Sequence, residues 1–322
     1  MPLPTQPKSL ITHLVCDLLK NIVAVSGAFI EESFWSLERV SNNIEFYFMV
    51  NDAKRQEYAR LKPDFEYAFF RKVFHNDRLR TGFHYTSFES LYYILNGGQL
   101  HLNALTGMND KYETNYVNDF MGKVGVEKYN ATSIAYQNSH FIFSLSEVKD
   151  QLNQWRLYGD DAKGVLVEFE IDHEANGFNN ILFSKVRYDL NLFKLIKTAQ
   201  NDFKTMFEIG FNLEMIDYWK FFFKHEDYAQ EEEIRLMVRN MSGTGHKEFE
   251  SKFKLNRYGL IIPFIELDCF GQLGSFLKVK RIILGPKVNE PALNKAQIEF
   301  MLSKKYPSND IEVIHSRIEH YR

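Results

Sequence analysis

Cysteine is scarce in this chain: two in 322 residues, Cys16 and Cys269, far apart and each in apolar surroundings. That excludes a disulfide framework and a cysteine-rich zinc site, and a reducing, cytoplasmic setting fits best. A surplus of positive charge is also missing, with 39 Lys and Arg against 42 Asp and Glu and a formal net charge of −3. Proteins that grip duplex DNA along its backbone usually carry a basic excess, so only a local basic patch is left open. No long hydrophobic run occurs either. The apolar N-terminal stretch is broken by His13, Asp17, Lys20 and Asn21. It falls short of the roughly 18–20 apolar residues that a span requires, and no membrane partner is expected.

The familiar nucleotide and hydrolase signatures are absent as well. There is no GxxxxGK(S/T), no strand-linked GxGxxG, no HExxH and no GxSxG. Gly243-Thr244-Gly245-His246-Lys247 imitates a phosphate loop faintly, without the helix that should follow.

What the chain does have is aromatic bulk. Phe occurs 29 times and Tyr 17 times, and 45% of residues are apolar. This is ample for a sizeable core in one large or two ordinary domains. Leu10, Leu14, Leu18 and Ile22, with Ile11, Val15, Leu19 and Val23 beside them, make a wide helical stripe. Phe34, Trp35, Leu37 and Val40 continue helical spacing within residues 31–51, although Phe46-Tyr47-Phe48 also suits extended chain. Residues 54–61 and 64–74 read as further helices, divided by Pro63. Residues 1–78 are therefore expected to be an all-helical accessory domain for packing, partner selection or homodimerisation.

From residue 79 to 322 the pattern is α+β, without regular βαβ alternation or internal repeats. The stretch from Gly82 to Glu113 leads it. Phe83 to Thr86 reads as a strand, residues 88–95 as a helix stopped by Gly97-Gly98, and Gln99 to Asn103 as a second strand. Thr86 or Ser87 suits the N-cap. Alternation marks strands at residues 141–145 and 165–171, and further strands are expected near residues 185–188, 232–239, 280–284 and 311–314. Residues 151–158, 191–224 and 292–305 read as helical.

Glu231-Glu232-Glu233-Ile234-Arg235 is the most informative short motif. On a strand Glu231, Glu233 and Arg235 share one face while Ile234, Leu236 and Val238 go to the core. Arg235 favours ionised carboxylates and their mutual repulsion opposes it, which is one way a site acquires an acid or base. The bland alternative is a solvated edge-strand ion pair. His84 is a structural residue or a ligand contact, and Tyr85 is core or a stacking platform. Tyr158, in Trp155-x-x-Tyr158-Gly159, can face a cleft, and Ser144 and Ser146 share the polar side of their strand. Lys224 is read as a surface lysine able to meet an anion. Glu168, Glu170 and Asp161 carry a weaker reading as carboxylates of a metal-dependent nuclease or hydrolase, which would be sensitive to chelators.

Taken in order, these pieces resemble a bacterial family described as domain of unknown function 2971. The residues that carry the resemblance are Phe83-His84-Tyr85-Thr86-Ser87, Asn109-Asp110-Lys111-Tyr112-Glu113, Ser144-Leu145-Ser146-Glu147, Trp155-x-x-Tyr158, Lys163-Gly164-Val165, Glu231-x-Glu233-x-Arg235 and Ile283-Leu284-Gly285-Pro286. They span about residues 83–322. Lys111 stands where the family often has Pro. The order of pieces also resembles the ADP-ribosyltransferase layout, in which a split sheet cradles NAD. That resemblance implies NAD as substrate, with Glu231 or Glu233 as catalytic carboxylate. It also implies that His84, Tyr85, Ser144, Ser146, Tyr158, Arg235, Asn109 and Asp110 line the cofactor site. The acceptor would be a protein or nucleic acid, and the setting a bacterial toxin or phage-defence effector. The rival expectation is a non-catalytic module that binds a nucleotide, RNA or peptide in the same cleft.

Overall fold

The structure is a computed structural model of the chain. It describes residues 8–51, 54–74, 79–107, 116–121, 134–172, 181–240, 249–256, 259–270, 276–319 and 321. In chain order the elements begin with α1 (Lys8–Ser26), α2 (Leu37–Asn42), β1 (Ile44–Asn51), β2 (Lys54–Leu61), α3 (Pro63–Phe74), β3 (Thr81–Thr86), α4 (Phe88–Gly97) and β4 (Gln99–Ala104). Next come α5 (Tyr116–Met121), α6 (Ile134–Gln137), β5 (His140–Ser146), α7 (Leu152–Tyr158), β6 (Val165–Ile171), β7 (Ile181–Lys185), α8 (Asn191–Phe207) and β8 (Gly210–Asn212). The last are α9 (Ile216–Trp219), β9 (Glu233–Arg239), β10 (Lys252–Leu255), β11 (Ile261–Asp268), β12 (Leu277–Leu284), α10 (Pro291–Lys305) and β13 (Glu312–His315).

The chain divides into two compact units, and the first is discontinuous: residues 1–75, 110–129 and 187–228. The single cut at 78/79 expected from the sequence therefore misses two later segments. Aromatic packing ties residues 187–228 to the N-terminal segment: Phe74 of α3 stacks on Trp219 with ring centroids 4.8 Å apart and meets Phe223 edge-on at 5.9 Å. The helical stripe of α1 is buried at Val15, Leu19 and Ile22, and α1 packs against α8, α2 and α3. By length and composition alone α1 is apolar enough to cross a membrane, in spite of His13, Asp17, Lys20 and Asn21.

The first unit is not all-helical. β1 and β2 form a hairpin from Ile44↔Leu61 to Asn51↔Lys54, and β8 lies parallel to β2. Residues 54–61 form a strand and not the expected helix, because their charges hide a period of two: Ala59 and Leu61 are buried and Arg60 points away to Glu45 and Glu214. Tyr58 stacks on Tyr47 at 5.5 Å, a cross-strand pair invisible in the local sequence.

The second unit is built on a ten-stranded sheet that forks. Its trunk is β7–β9–β5. On the far edge β5 pairs with β4 at Phe141 and Ile142, and with β3 only at Ser146. Two arms leave from there, β4–β11–β10 and β3–β6–β12–β13, and in the second β12 and β13 run parallel. The mixture of helices and strands is the α+β architecture expected for this part of the chain. One face of the sheet is a continuous core of Phe143, Leu145, Val167, Phe169, Ile234 and Leu236, packed under α4 and α10. The other face carries α7, whose Trp155 lies on Phe83, Tyr85, Leu166 and Ile283. α4 forms as its sequence dictates: Ser87 Oγ accepts from Ser90 N at 3.1 Å, and Gly98 ends the helix at φ 71°.

Candidate functional site

Several of the short motifs meet in one knot of backbone. After α7 the chain runs through Asp160, Asp161 and Ala162, all at positive φ, and closes with Gly164 N donating to Gly159 O at 2.9 Å. A Cβ on Gly164 would stand 2.1 Å from Thr86 O, and one on Gly285 would stand 2.4 Å from Ala162 O. Only glycine allows these approaches. Asp150 ties the other end of α7: it accepts from Trp155 Nε1 at 2.8 Å, Ser316 Oγ at 2.6 Å and Arg317 N at 2.7 Å. The knot fixes α7 so that Gln154 and Tyr158, four residues apart and hence on one helical face, are presented to the segment entering β9.

Glu231 receives both. Tyr158 donates its hydroxyl to Glu231 Oε1 at 2.5 Å, while Gln154 Nε2 donates to Glu231 O at 2.9 Å. Ser146 Oγ donates to that same carbonyl at 2.9 Å. Glu232 takes a left-handed conformation at φ 42°, which turns the chain into β9. Glu231 is buried, whereas Tyr158 is 44% exposed, so the pair lies at the accessible margin of the sheet. Gln154 was not anticipated. The available signal was its place one helical turn before Tyr158.

Glu233 is placed differently. Arg235 grips it with two bonds, Nε to Oε1 at 2.7 Å and a terminal nitrogen to Oε2 at 3.0 Å, and both side chains are buried. β9 is interior, between β5 and β7, and Arg235 is flanked by Ser144 and Ser184. The solvated edge-strand alternative is thereby overturned. Burial pushes the guanidinium down to about 9, so it remains charged at neutral pH. Glu233 and Arg235 share a face and Ile234 goes to the core, as alternation requires.

His84 is not brought to this cluster. It pairs with Val167 across the ladder, so its side chain is on the core face, opposite Ser144, Ser146, Glu233 and Arg235. Its ring lies 4.5 Å from that of Phe143. Between the contacts with β4 and β3, β5 has no ladder partner on that edge, and His84 Nδ1–H donates to Ser144 O there at 3.0 Å. Burial lowers its pKa to about 4 against the opposing effect of that bond, so it is neutral at pH 7. His84 holds the fork rather than facing the cluster.

Tyr85 is a core residue, edge-on to Trp155 at 5.1 Å. Its hydroxyl donates to Val148 O and accepts from Gln151 N, both at 3.0 Å. Of the two readings of Tyr85, core residue or stacking platform, the structure takes the first. Burial is the main cause that raises its pKa to about 12. Ser144 is exposed on the cluster's side of the sheet, and Ser146 is buried as a positioning donor. Asn109 and Asp110 lie outside the described residues, as does the loop at 243–247. Lys224 is buried, against the surface position expected for it.

Two carboxylates of the metal reading, Glu168 and Asp161, are already hydrogen-bonded within the chain. Glu168 accepts from Lys149 and Arg281, each at 2.8 Å, and Asp161 accepts from Tyr321 at 2.6 Å and Lys287 at 3.1 Å. Among the described residues no group of three or more metal-ligating side chains comes together.

A family model described as a protein of unknown function (DUF2971) matches residues 154–236. It supports the family over that stretch. The matched segment starts at Gln154 and ends one residue after Arg235, so it encloses Tyr158, Glu231, Glu233 and Arg235. No curated protein and no solved structure matches the chain.

Proposed function

We propose that the second unit is an ADP-ribosyltransferase-like enzyme that uses NAD, with Glu231 as its catalytic carboxylate. The observation that carries this reading is the bond between Glu231 and the half-exposed Tyr158 at the margin of a forked sheet. When the bond from nicotinamide to ribose breaks, its electron pair leaves with neutral nicotinamide and the ribose becomes an oxocarbenium-like cation. Water or an acceptor then attacks the anomeric carbon and gives up a proton. A fixed carboxylate in a partly desolvated position stabilises that cation, because the charge is pre-oriented and poorly screened. Tyr158 offers its ring to a planar base, and the Ser144 hydroxyl is available as a donor on the same side of the sheet.

This reading makes Glu233 the buried partner of Arg235 and reserves the chemistry for Glu231. It also proceeds without His84, which faces away. Gln154 and Ser146 are positioning residues: they hold the carbonyl of Glu231 and thus the direction of its side chain.

The test is calorimetric NAD titration with an assay of nicotinamide release, on wild type and Glu231→Gln in parallel. Saturable binding with release that the variant lacks is the expected result. Binding without release in either protein would leave a nucleotide-binding module, and no binding would overturn the NAD reading.

A further inference from the structure

A cavity of about 480 Å³ lies beside the Asp150 turn. Its walls are Lys149 and Asp150, Arg281 and Ile283 of β12, Glu312 and Ile314 of β13, and the segment His315, Arg317 and Ile318. The parallel pairing of β12 and β13 sets two rungs side by side, Arg281↔Glu312 and Ile283↔Ile314. One rung is charged and the other is an apolar floor, to which Ile318 adds.

The charged groups of the wall are unequally occupied. Asp150 already accepts three hydrogen bonds, and Glu312 accepts from Arg281 Nε at 2.5 Å. Lys149 and Arg281 are shared with Glu168. By contrast, the Arg317 guanidinium and the His315 imidazole meet no hydrogen-bond, ionic or aromatic partner among the described residues. Three permanent cations (Lys149, Arg281, Arg317) face two carboxylates (Asp150, Glu312) in the wall, and both carboxylates are bonded. The unspent capacity is therefore chiefly that of donors. A volume within the roughly 300–1,000 Å³ of ligand sites, a guanidinium free to grip an oxyanion bidentately and an apolar floor define one ligand chemistry.

We propose that this cavity binds a small organic anion, a carboxylate or phosphate monoester with an apolar body. Arg317 takes the oxyanion, with Lys149 and His315 beside it, and the body lies on Ile283, Ile314 and Ile318. The site is distinct from the Glu231 cluster, and its existence does not rest on the NAD reading.

The test uses the full chain and phenyl phosphate as probe, by calorimetry at low salt, with benzyl alcohol and benzylamine as neutral and cationic controls. Arg317→Glu and Arg317→Gln are compared with wild type and with Glu231→Gln, after thermal melts establish that each variant is folded. The expected result is saturable binding of phenyl phosphate alone. Affinity should fall at least about tenfold in Arg317→Glu, less in Arg317→Gln and not at all in Glu231→Gln, and should weaken with added salt. Equal binding of benzyl alcohol, an affinity indifferent to both Arg317 variants, or no saturation at millimolar probe would overturn the proposal.

Discussion

Tyr158 and Glu231, 73 positions apart in sequence, meet through a hydroxyl–carboxylate bond of 2.5 Å. The contact exists because the glycine knot fixes α7 from one side and the left-handed Glu232 turns the chain from the other. Under the NAD reading, this phenol occupies the position that a ribose hydroxyl of the substrate would take on the carboxylate. A sugar hydroxyl can replace that phenol like for like, without leaving the carboxylate unsatisfied.

Under the NAD reading, Glu231→Gln is expected to lower kcat for nicotinamide release by about 10²–10³, the usual loss for one electrostatic stabiliser. Tyr158→Phe keeps the ring and should cost far less than Tyr158→Ala. The ring contact is worth about 0.5–1.5 kcal/mol, which is to be read as a rise in KM. Steady-state kinetics on the three variants check this, and equal effects of Phe and Ala at position 158 would contradict a stacking role.

Glu233 should behave as a structural residue. Removing it by Glu233→Gln leaves a buried guanidinium without its counter-charge, at a cost of about 3–5 kcal/mol. The double change Glu233→Met, Arg235→Met removes both charges and should recover much of that loss. Denaturant unfolding of the two variants decides it. Glu231→Gln, in the same experiment, should shift stability much less.

His84 predicts an acid limb. Its folded pKa of about 4 lies below the ordinary value of 6.5, so below pH 6.5 the unfolded chain binds the proton first. Stability present at neutral pH is lost as pH falls through the window from 6.5 to 4, at up to about 1.4 kcal/mol per pH unit. Asn at position 84 can still donate to Ser144 O and does not titrate. The difference in unfolding free energy between wild type and His84→Asn should grow with pH across that window and be flat above it.

Gly164→Ala tests the knot. Its Cβ would stand 2.1 Å from a backbone oxygen, which no side-chain rotation can relieve. A loss of more than about 3 kcal/mol, or failure to fold, is expected. Gly97→Ala, where a Cβ meets nothing within 4 Å, is the matched control and should leave the melting temperature nearly unchanged.

Much of the second unit was legible in sequence because its signals are local. The β3–α4–β4 unit announces itself through a Ser cap and a paired-glycine stop, and β6 and β9 through alternation. The hairpin β1–β2 is hidden in the sequence because the charges of residues 54–61 mask their period of two, and because Arg60 is held in part by Glu214, 154 positions away. The scattered first unit is hidden as well, since aromatic rings carry no label saying which other rings they will meet.

Sequence alone determined the residue types of the site and the alternation that sets Glu233 and Arg235 on one face of β9. Periodicity is a property of the backbone, and the side chains obey it wherever the strand ends up. Only tertiary structure decided that β9 is interior, which turned an ordinary charge pair into a buried one. It also decided that the fork places His84 on the opposite face, and that Gln154 and Tyr158 arrive at Glu231. Those outcomes depend on strand order and helix docking, which are set by the summed packing of the whole sheet and by no short stretch of it.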